Sequence, residues 1–219
     1  MRWRHPIRGM MAPIQFIPVA EQTNAIVALG AWAPKQGCQD VAKLPGDIKL
    51  MVNVSARQFD SDDLLPAVSK ALALSNLPAS RLELEITETL ILRNTAATKE
   101  TIRKLQALGV SVALDDFGKA FASFNYLQNF TFDKLKIDRS FLEEDRNQKD
   151  PSIIIELIAA MARRLNIRTV AEGVETPFDL KRIQSAGWDQ AQGFYFSKPM
   201  PIKALRRYLS KAVAVGERR

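Results

Sequence analysis

The stretch Val112-Ala113-Leu114-Asp115-Asp116-Phe117-Gly118 runs an apolar segment into two adjacent carboxylates and a glycine. Like charges side by side are tolerated where both are solvated or where a cation sits between them. A lone Asp-Asp pair is more often an exposed turn closing a strand. Here five other apolar runs deliver polar groups of related kinds, namely Asn53, Glu85, Lys136, Glu172 and Gln192. Several carboxylates in one pocket drive one another's pKa upward unless cations compensate, and one lysine is too little. Carboxylate and amide oxygens are hard ligands that suit Mg2+ or Mn2+. Two such ions about 3.5–4 Å apart stabilise the attacking and leaving oxygens of a phosphoester hydrolysis. An oxygen-only metal site with a lysine also supports enolate chemistry on a small carboxylate substrate, so both chemistries stand, with phosphoester hydrolysis ahead.

The elements that must position these residues follow from periodicity. Residues 1–20 read as irregular, broken by Pro6, Gly9, Pro13 and Pro18, with a helical segment from Ala20 to Trp32 after them. Asp47–Ser55 reads as a strand, Leu64–Leu74 as a helix, and Arg81–Thr87 as a strand alternating Leu82, Leu84 and Ile86 with Glu83, Glu85 and Thr87. A helix over Ala96–Leu108 stops at Gly109. The strand Ser111–Asp116, a short helix within Ser123–Gln128, and the strand Phe132–Asp138 come next. Asp150-Pro151 reads as a cap and first position of a helix carrying Ile154, Leu157, Ile158, Met161 and Leu165. Arg168–Glu172 and Gln190–Phe196 are strands, and Pro177–Ser185 and Ile202–Val213 are helices. Strands alternating with helices imply parallel pairing through βαβ units, in an open doubly wound sheet or a (β/α)8 barrel. In both, ligands bind at the carboxyl ends of the strands. Polar groups at the same end of successive strands favour the barrel.

Composition narrows the class. The chain has 219 residues, 47% hydrophobic and 25% charged, which suits one large α/β domain over residues 1–219. No apolar run approaches the ~20 residues of a membrane span, and no apolar segment follows the basic start to make a signal peptide. Cys38 alone permits no internal disulfide, and with one histidine no zinc site of the usual ligands. The net charge of +7 draws on Arg206, Arg207, Lys211, Arg218 and Arg219 and suits an anionic ligand. No basic stripe interleaved with aromatics points to DNA or RNA.

Six motifs in order carry a resemblance: Asn53-Val54-Ser55-Ala56-Arg57-Gln58-Phe59, Glu85-Ile86-Thr87-Glu88, Asp115-Asp116-Phe117-Gly118, Lys136-Ile137-Asp138, Ala171-Glu172-Gly173-Val174-Glu175 and Gln192-Gly193-Phe194. Together they resemble the EAL-domain family, the cyclic di-GMP-specific phosphodiesterases of bacteria, from Arg2 to about Pro201. The resemblance implies a TIM-like barrel and two Mg2+ or Mn2+ ions opening cyclic di-GMP to linear pGpG. It implies Asn53, Glu85 and Asp115 as metal ligands, with Asp115 bridging and Asp116 serving the second metal. Lys136 resembles the lysine that holds the nucleophilic water or a phosphate, and Glu172 a general base or metal-shell residue. Gln192 resembles the residue that completes the water network. Arg2 resembles a phosphate contact and Pro199 the position that packs a guanine. Glu88 and Glu175 resemble supporting carboxylates, Glu88 anchoring the loop after Asp116. Phe194, Tyr195 and Phe196 read as core and rim packing, and Asp138 as structural. The resemblance also brings in a homodimer and an upstream sensory or GGDEF domain as arrangements frequent in the family, and its nucleotide substrate class with the lone Cys38 implies a cytoplasmic bacterial setting.

Two departures bear on activity. The family's Glu-Ala-Leu segment falls before Arg2, so its glutamate and the first strands of the barrel are expected to be missing from this chain. Active members usually read Asp-Phe-Gly-Thr-Gly-Tyr-Ser-Ser where this chain has Asp116-Phe117-Gly118-Lys119-Ala120-Phe121-Ala122-Ser123. Ala120 replaces a glycine, Ala122 removes a hydroxyl and Lys119 adds a charge, so ordering of the second metal is in question. The alternative expectation is therefore a catalytically impaired module that binds cyclic di-GMP or a protein partner in signalling.

Overall fold

The computed structural model describes residues 1–92, 96–118, 127, 129–146 and 153–216. The expected helix within Ser123–Gln128, the loop Lys119–Ser123 and the Asp150-Pro151 cap lie outside the described residues. In chain order the elements are β1 (Trp3–His5), β2 (Gly9–Met11), α1 (Pro13–Gln22), α2 (Ala25–Val41), β3 (Leu50–Asn53), α3 (Ala56–Phe59) and α4 (Leu64–Ser75). After a 3-10 turn at Ala79–Arg81 come β4 (Leu82–Thr87), α5 (Glu88–Leu92), α6 (Ala96–Ala107), β5 (Ser111–Phe117) and β6 (Lys134–Ile137). The chain continues with α7 (Arg139–Arg146), α8 (Ile153–Arg164), β7 (Arg168–Ala171), α9 (Pro177–Ser185), β8 (Gln190–Ala191) and α10 (Ile202–Gly216). These residues group into two compact units, Met1–Ile86 with Asn94–Val110, and Thr87–Arg93 with Ser111–Arg219.

In the first unit the segment expected to be irregular is ordered. β1 and β2 form an antiparallel hairpin pairing Trp3 with Met11 and His5 with Gly9. The His5 imidazole closes its turn, Nδ1 accepting the amides of Ile7 and Arg8 at 3.1 Å each. Local side-chain bonds of this kind replace what a three-residue strand lacks in periodicity. α1 then passes through Pro18, and α2 continues through Pro34 to Val41, well beyond the expected stop at Trp32. A helical proline forfeits one backbone bond. Here Pro34 and Cys38 are buried and α2 packs along α4, so burial outweighs the lost bond. β3 and β4 pair in parallel with Asn53 opposite Glu85. On β4 the apolar residues Leu82, Leu84 and Ile86 are fully buried, and so is Glu83 on the other face. A strand covered on both faces is the parallel-sheet pattern.

In the second unit β5, β6, β7 and β8 pair in parallel in that sequence. The entry ends of the strands are tied by carboxylates. Asp133 Oδ2 accepts the amide of Val112 at 2.8 Å, and Asp189 Oδ2 accepts the Thr169 amide at 2.7 Å and hydroxyl at 2.9 Å. The exit ends are irregular. Leu114 pairs with Leu135 but Phe117 with Ile137, so Asp115 and Asp116 form a bulge. β8 is two residues long, where a strand to Phe196 was expected. The Gln192 amide still donates to Ala171 O, after which the Tyr195 amide turns to Val174 O and the chain curls out of the ladder. Phe194, Tyr195 and Phe196 are consequently exposed at 56%, 42% and 46%, on the rim and not in the core.

α9 begins with a full capping box. Thr176 Oγ1 accepts the Asp179 amide at 3.1 Å, while Asp179 Oδ2 accepts the amides of Thr176 and Glu175 at 2.9 and 3.0 Å. Asp179 is buried, so its carboxylate has given up hydration that those bonds compensate. Asp179→Ala is expected to cost about 2 kcal/mol of unfolding free energy in urea titration, and Asp179→Asn clearly less.

Candidate active site

Parallel strands place their exit residues at one end, and in the second unit the exits of β5, β6 and β7 carry the charged groups. Lys136, on β6, is almost wholly buried, its side chain 2% exposed. Its ammonium lies 2.6 Å from Glu172 Oε1 and 3.4 Å from Asp115 Oδ1. Glu172 follows the last residue of β7, and its amide donates to Ile137 O at 3.2 Å. A buried ammonium thus sits between carboxylates at the exits of both neighbouring strands.

The backbone around the carboxylates is unusual. Asp116 sits at φ +57°, left-handed space that few non-glycine residues enter, and its amide donates to Asp115 Oδ1 at 3.0 Å. Two residues on, the Gly118 amide donates to Glu88 Oε2 at 3.3 Å. Glu88, buried at the start of α5, thus holds the amide two residues beyond Asp116. On the other side, Val174 N donates to Gln192 O at 3.0 Å, so the backbone of Gln192 steadies the turn that follows Glu172. The Gln192 side chain is exposed, as are Pro199 and Glu175. The Glu175 amide is held by Asp179.

In the first unit, Asn53 and Glu85 stand at the exits of β3 and β4, and Asn53 Nδ2 donates to Glu85 Oε2 at 2.9 Å. Glu85 is buried and Asn53 exposed. Arg2 lies exposed just before β1. Structure therefore brings together Asp115, Lys136 and Glu172, joins Gly118 to Glu88, and pairs Asn53 with Glu85. Sequence reading missed Asp179 and the left-handed turn at Asp116. The first had a signal in Thr176-Pro177-Phe178-Asp179, a cap, a helix-starting proline and an acid three residues after the cap. The second had none, because aspartate rarely adopts that conformation without tertiary support.

Electrostatics sharpen the picture. Burial pushes the Glu172 carboxyl above the ordinary glutamate range. Lys136 pulls it back down, by its charge and its hydrogen bond, and the nearby charges of Asp115 and Asp116 push it up again. Three carboxylates thus act on one another around one ammonium, a surplus of negative charge that a divalent cation would offset. Their oxygens are hard donors suited to Mg2+ or Mn2+; within the first unit, the Asn53 amide oxygen and the Glu85 carboxylate are donors of the same kind. Among the described residues no three His, Cys, Asp or Glu side chains are gathered as a preformed metal cage. It is the donor chemistry and the charge surplus that fit a metal here.

A family model described as the EAL domain matches residues 1–199. An uncharacterized protein of Sinorhizobium fredii, y4lL, is 42% identical over 200 residues, covering 91% of this chain and 24% of the relative. MucR of Pseudomonas aeruginosa, named a bifunctional diguanylate cyclase/cyclic di-GMP phosphodiesterase, is 38% identical over 209 residues, covering 94% of this chain and 30% of the relative. The chain thus spans 24–30% of the length of these relatives. Among solved structures, the PaMucR phosphodiesterase in complex with c-di-GMP superposes with a TM-score of 0.88 at 37% identity, over 93% of this chain and 84% of that one. The EAL domain of Mycobacterium smegmatis DcpA gives 0.79 at 32%, over 84% and 85%. The fold is accordingly the TIM-like α/β fold of EAL domains.

The Lys136 charge opposes the burial that raises Glu172. Removing it in Lys136→Met is expected to move the Glu172 carboxyl still higher, so that it stays protonated to a higher pH. Carbon-detected NMR titration of the glutamate carboxyls in metal-free buffer measures this, with Glu172→Gln assigning the resonance.

Proposed function

The chain belongs to the EAL-domain family, and on that premise we propose that it hydrolyses cyclic di-GMP to linear pGpG with Mg2+ or Mn2+. The observation that carries this reading is the buried Lys136 ammonium held between Asp115 and Glu172 at the strand exits. Relatives named as cyclic di-GMP phosphodiesterases, MucR and NbdA of Pseudomonas aeruginosa, support the substrate.

In this proposal Asn53, Glu85, Asp115 and Asp116 hold the metal ions. When bound, such ions polarise a phosphoryl oxygen and lower the pKa of water. The protein's own residues do the rest. Lys136 offers a fixed donor for an oxygen of the nucleophilic water or of the phosphate, and its burial makes that contact stronger than in solvent. Glu172, raised by burial, accepts a proton more readily than an exposed glutamate, which suits a general base. Gln192 orients water, Arg2 meets a substrate phosphate, and Pro199 packs a guanine. Glu88 and Glu175 support the turns beside the carboxylates.

Full-length relatives are several times longer than this chain, so a sensory or GGDEF domain, a homodimer and a cytoplasmic bacterial setting belong to the same proposal. Among the described residues no helix is long and apolar enough to cross a membrane. The second reading is a module that binds cyclic di-GMP, or a protein partner, without turnover. What favours it is the replacement of the family's usual loop by Lys119-Ala120-Phe121-Ala122.

Purified chain incubated with cyclic di-GMP and Mn2+, with products separated by chromatography, is expected to yield linear pGpG. Asp115→Ala and Glu172→Ala are each expected to lower the rate by about a hundredfold or more. Intact substrate from folded wild-type protein, with calorimetry showing binding, would move the assignment to the non-hydrolysing module.

A further inference from the structure

Lys136 lies one residue before the end of β6, the residues after that strand form the first turn of α7, and that turn touches both segments that carry the site's acids. Asp138 closes it. Its Oδ1 accepts the Ser140 amide at 3.0 Å and its backbone carbonyl accepts the Phe141 amide at 3.2 Å. From the turn, Phe141 reaches Gly118, two residues beyond Asp116. A Cβ on Gly118 would stand 2.5 Å from Phe141 Cζ and 3.1 Å from Cε2, so the ring edge rests on glycine backbone. Arg139 reaches Gly173, the residue after Glu172. A Cβ there would stand 3.1 Å from Arg139 Cα and closer still to its Cβ. Both glycines have positive φ, +92° and +73°, so each marks a sharp turn in a carboxylate-bearing segment.

We propose that the first turn of α7, Arg139–Phe141, is a positioning element that sets the Asp115–Gly118 turn and the Glu172–Gly173 turn together, against the ammonium of Lys136. This rests on the assignment of those acids to the site made above. The physical argument is one of rigidity. Lys136, Asp138, Arg139 and Phe141 lie on one short continuous piece of chain, so any shift of that piece moves the cation and both contacts at once. Carboxylates on loops need such support to hold a few ångströms of geometry. The Arg139 guanidinium plays no part: it is exposed, 3.6 Å from Glu143 Oε1, and it is the Cα, Cβ and Cγ of Arg139 that lie against Gly173, the Cα and Cβ nearest.

Amide hydrogen exchange by mass spectrometry on the metal-free chain reads this directly. Phe141→Ala is expected to speed exchange in peptides covering 112–118 by about tenfold, leaving α8 and α9 unchanged. Asp138→Ala is expected to speed both 112–118 and 169–176. Arg139→Ala keeps the Cα and Cβ, the two atoms nearest Gly173, and should leave both as in wild type. Phe141→Leu retains bulk in case the alanine variant fails to fold, and should give an intermediate rate. With hydrolysis as readout, Phe141→Ala should raise the Mn2+ concentration for half-activation while changing KM for cyclic di-GMP little. Unchanged exchange in 112–118 for both Phe141 variants, or an equal rise across the whole second unit, would overturn the proposal. Exchange needs neither ligand nor turnover, so an inactive wild type would strike the hydrolysis reading and leave this inference standing.

Discussion

A lysine ammonium that is almost completely buried is the constraint on which the second unit depends. Removing such a charge from water costs several kcal/mol, and only close, well-aligned partners offset that cost. Lys136 has them in Glu172 and Asp115, one from each neighbouring strand. The registers of β5, β6 and β7 are therefore tied to one ion cluster. The register of a strand pair slips by whole residues, and a slip of one would turn every side chain to the opposite face. The carboxylates that tie the strand entries, Asp133 and Asp189, act at the other end of the same strands. Strand position is thus held at both ends.

Around that cluster the backbone departs from regular geometry where the chemistry would need it. Two consecutive aspartates cannot both present their carboxylates to one side of a regular strand, because successive side chains point to opposite faces. The bulge at Asp115–Asp116, with Asp116 in left-handed space, breaks the alternation. Such a conformation persists where surrounding contacts over-determine it. Here those contacts are the Asp116 amide on Asp115, the Gly118 amide on Glu88, and the Phe141 ring against Gly118.

Much of the architecture was legible in the order of residues. Leu82, Leu84 and Ile86 announced β4, and the apolar run ending at Asp115 announced β5, because a buried strand face needs period-two or continuous apolar residues. Less legible were elements whose stability is not local. α2 runs through Pro34, against the rule that proline ends helices, because its packing on α4 compensates. The β1–β2 hairpin is too short to show periodicity, and β8 stops after Ala191 because its carbonyl partners pass to the turn around Val174.

The sequence by itself determined the kinds of chemistry open to this protein: hard oxygen donors and one lysine at strand ends, no thiol or imidazole cluster, and six ordered motifs that identify the EAL family. Residue type and short-range spacing suffice for that, since ligand hardness and strand periodicity are local properties. Tertiary structure alone decided that Lys136 is shared by Asp115 and Glu172, that Asp116 turns left-handed, and that the first turn of α7 meets both acid-bearing segments. The first and third of those facts are distances between residues far apart in the chain, and the second is a backbone torsion held by contacts of that kind. Strand register and packing set such distances, and no pattern within a single segment encodes them.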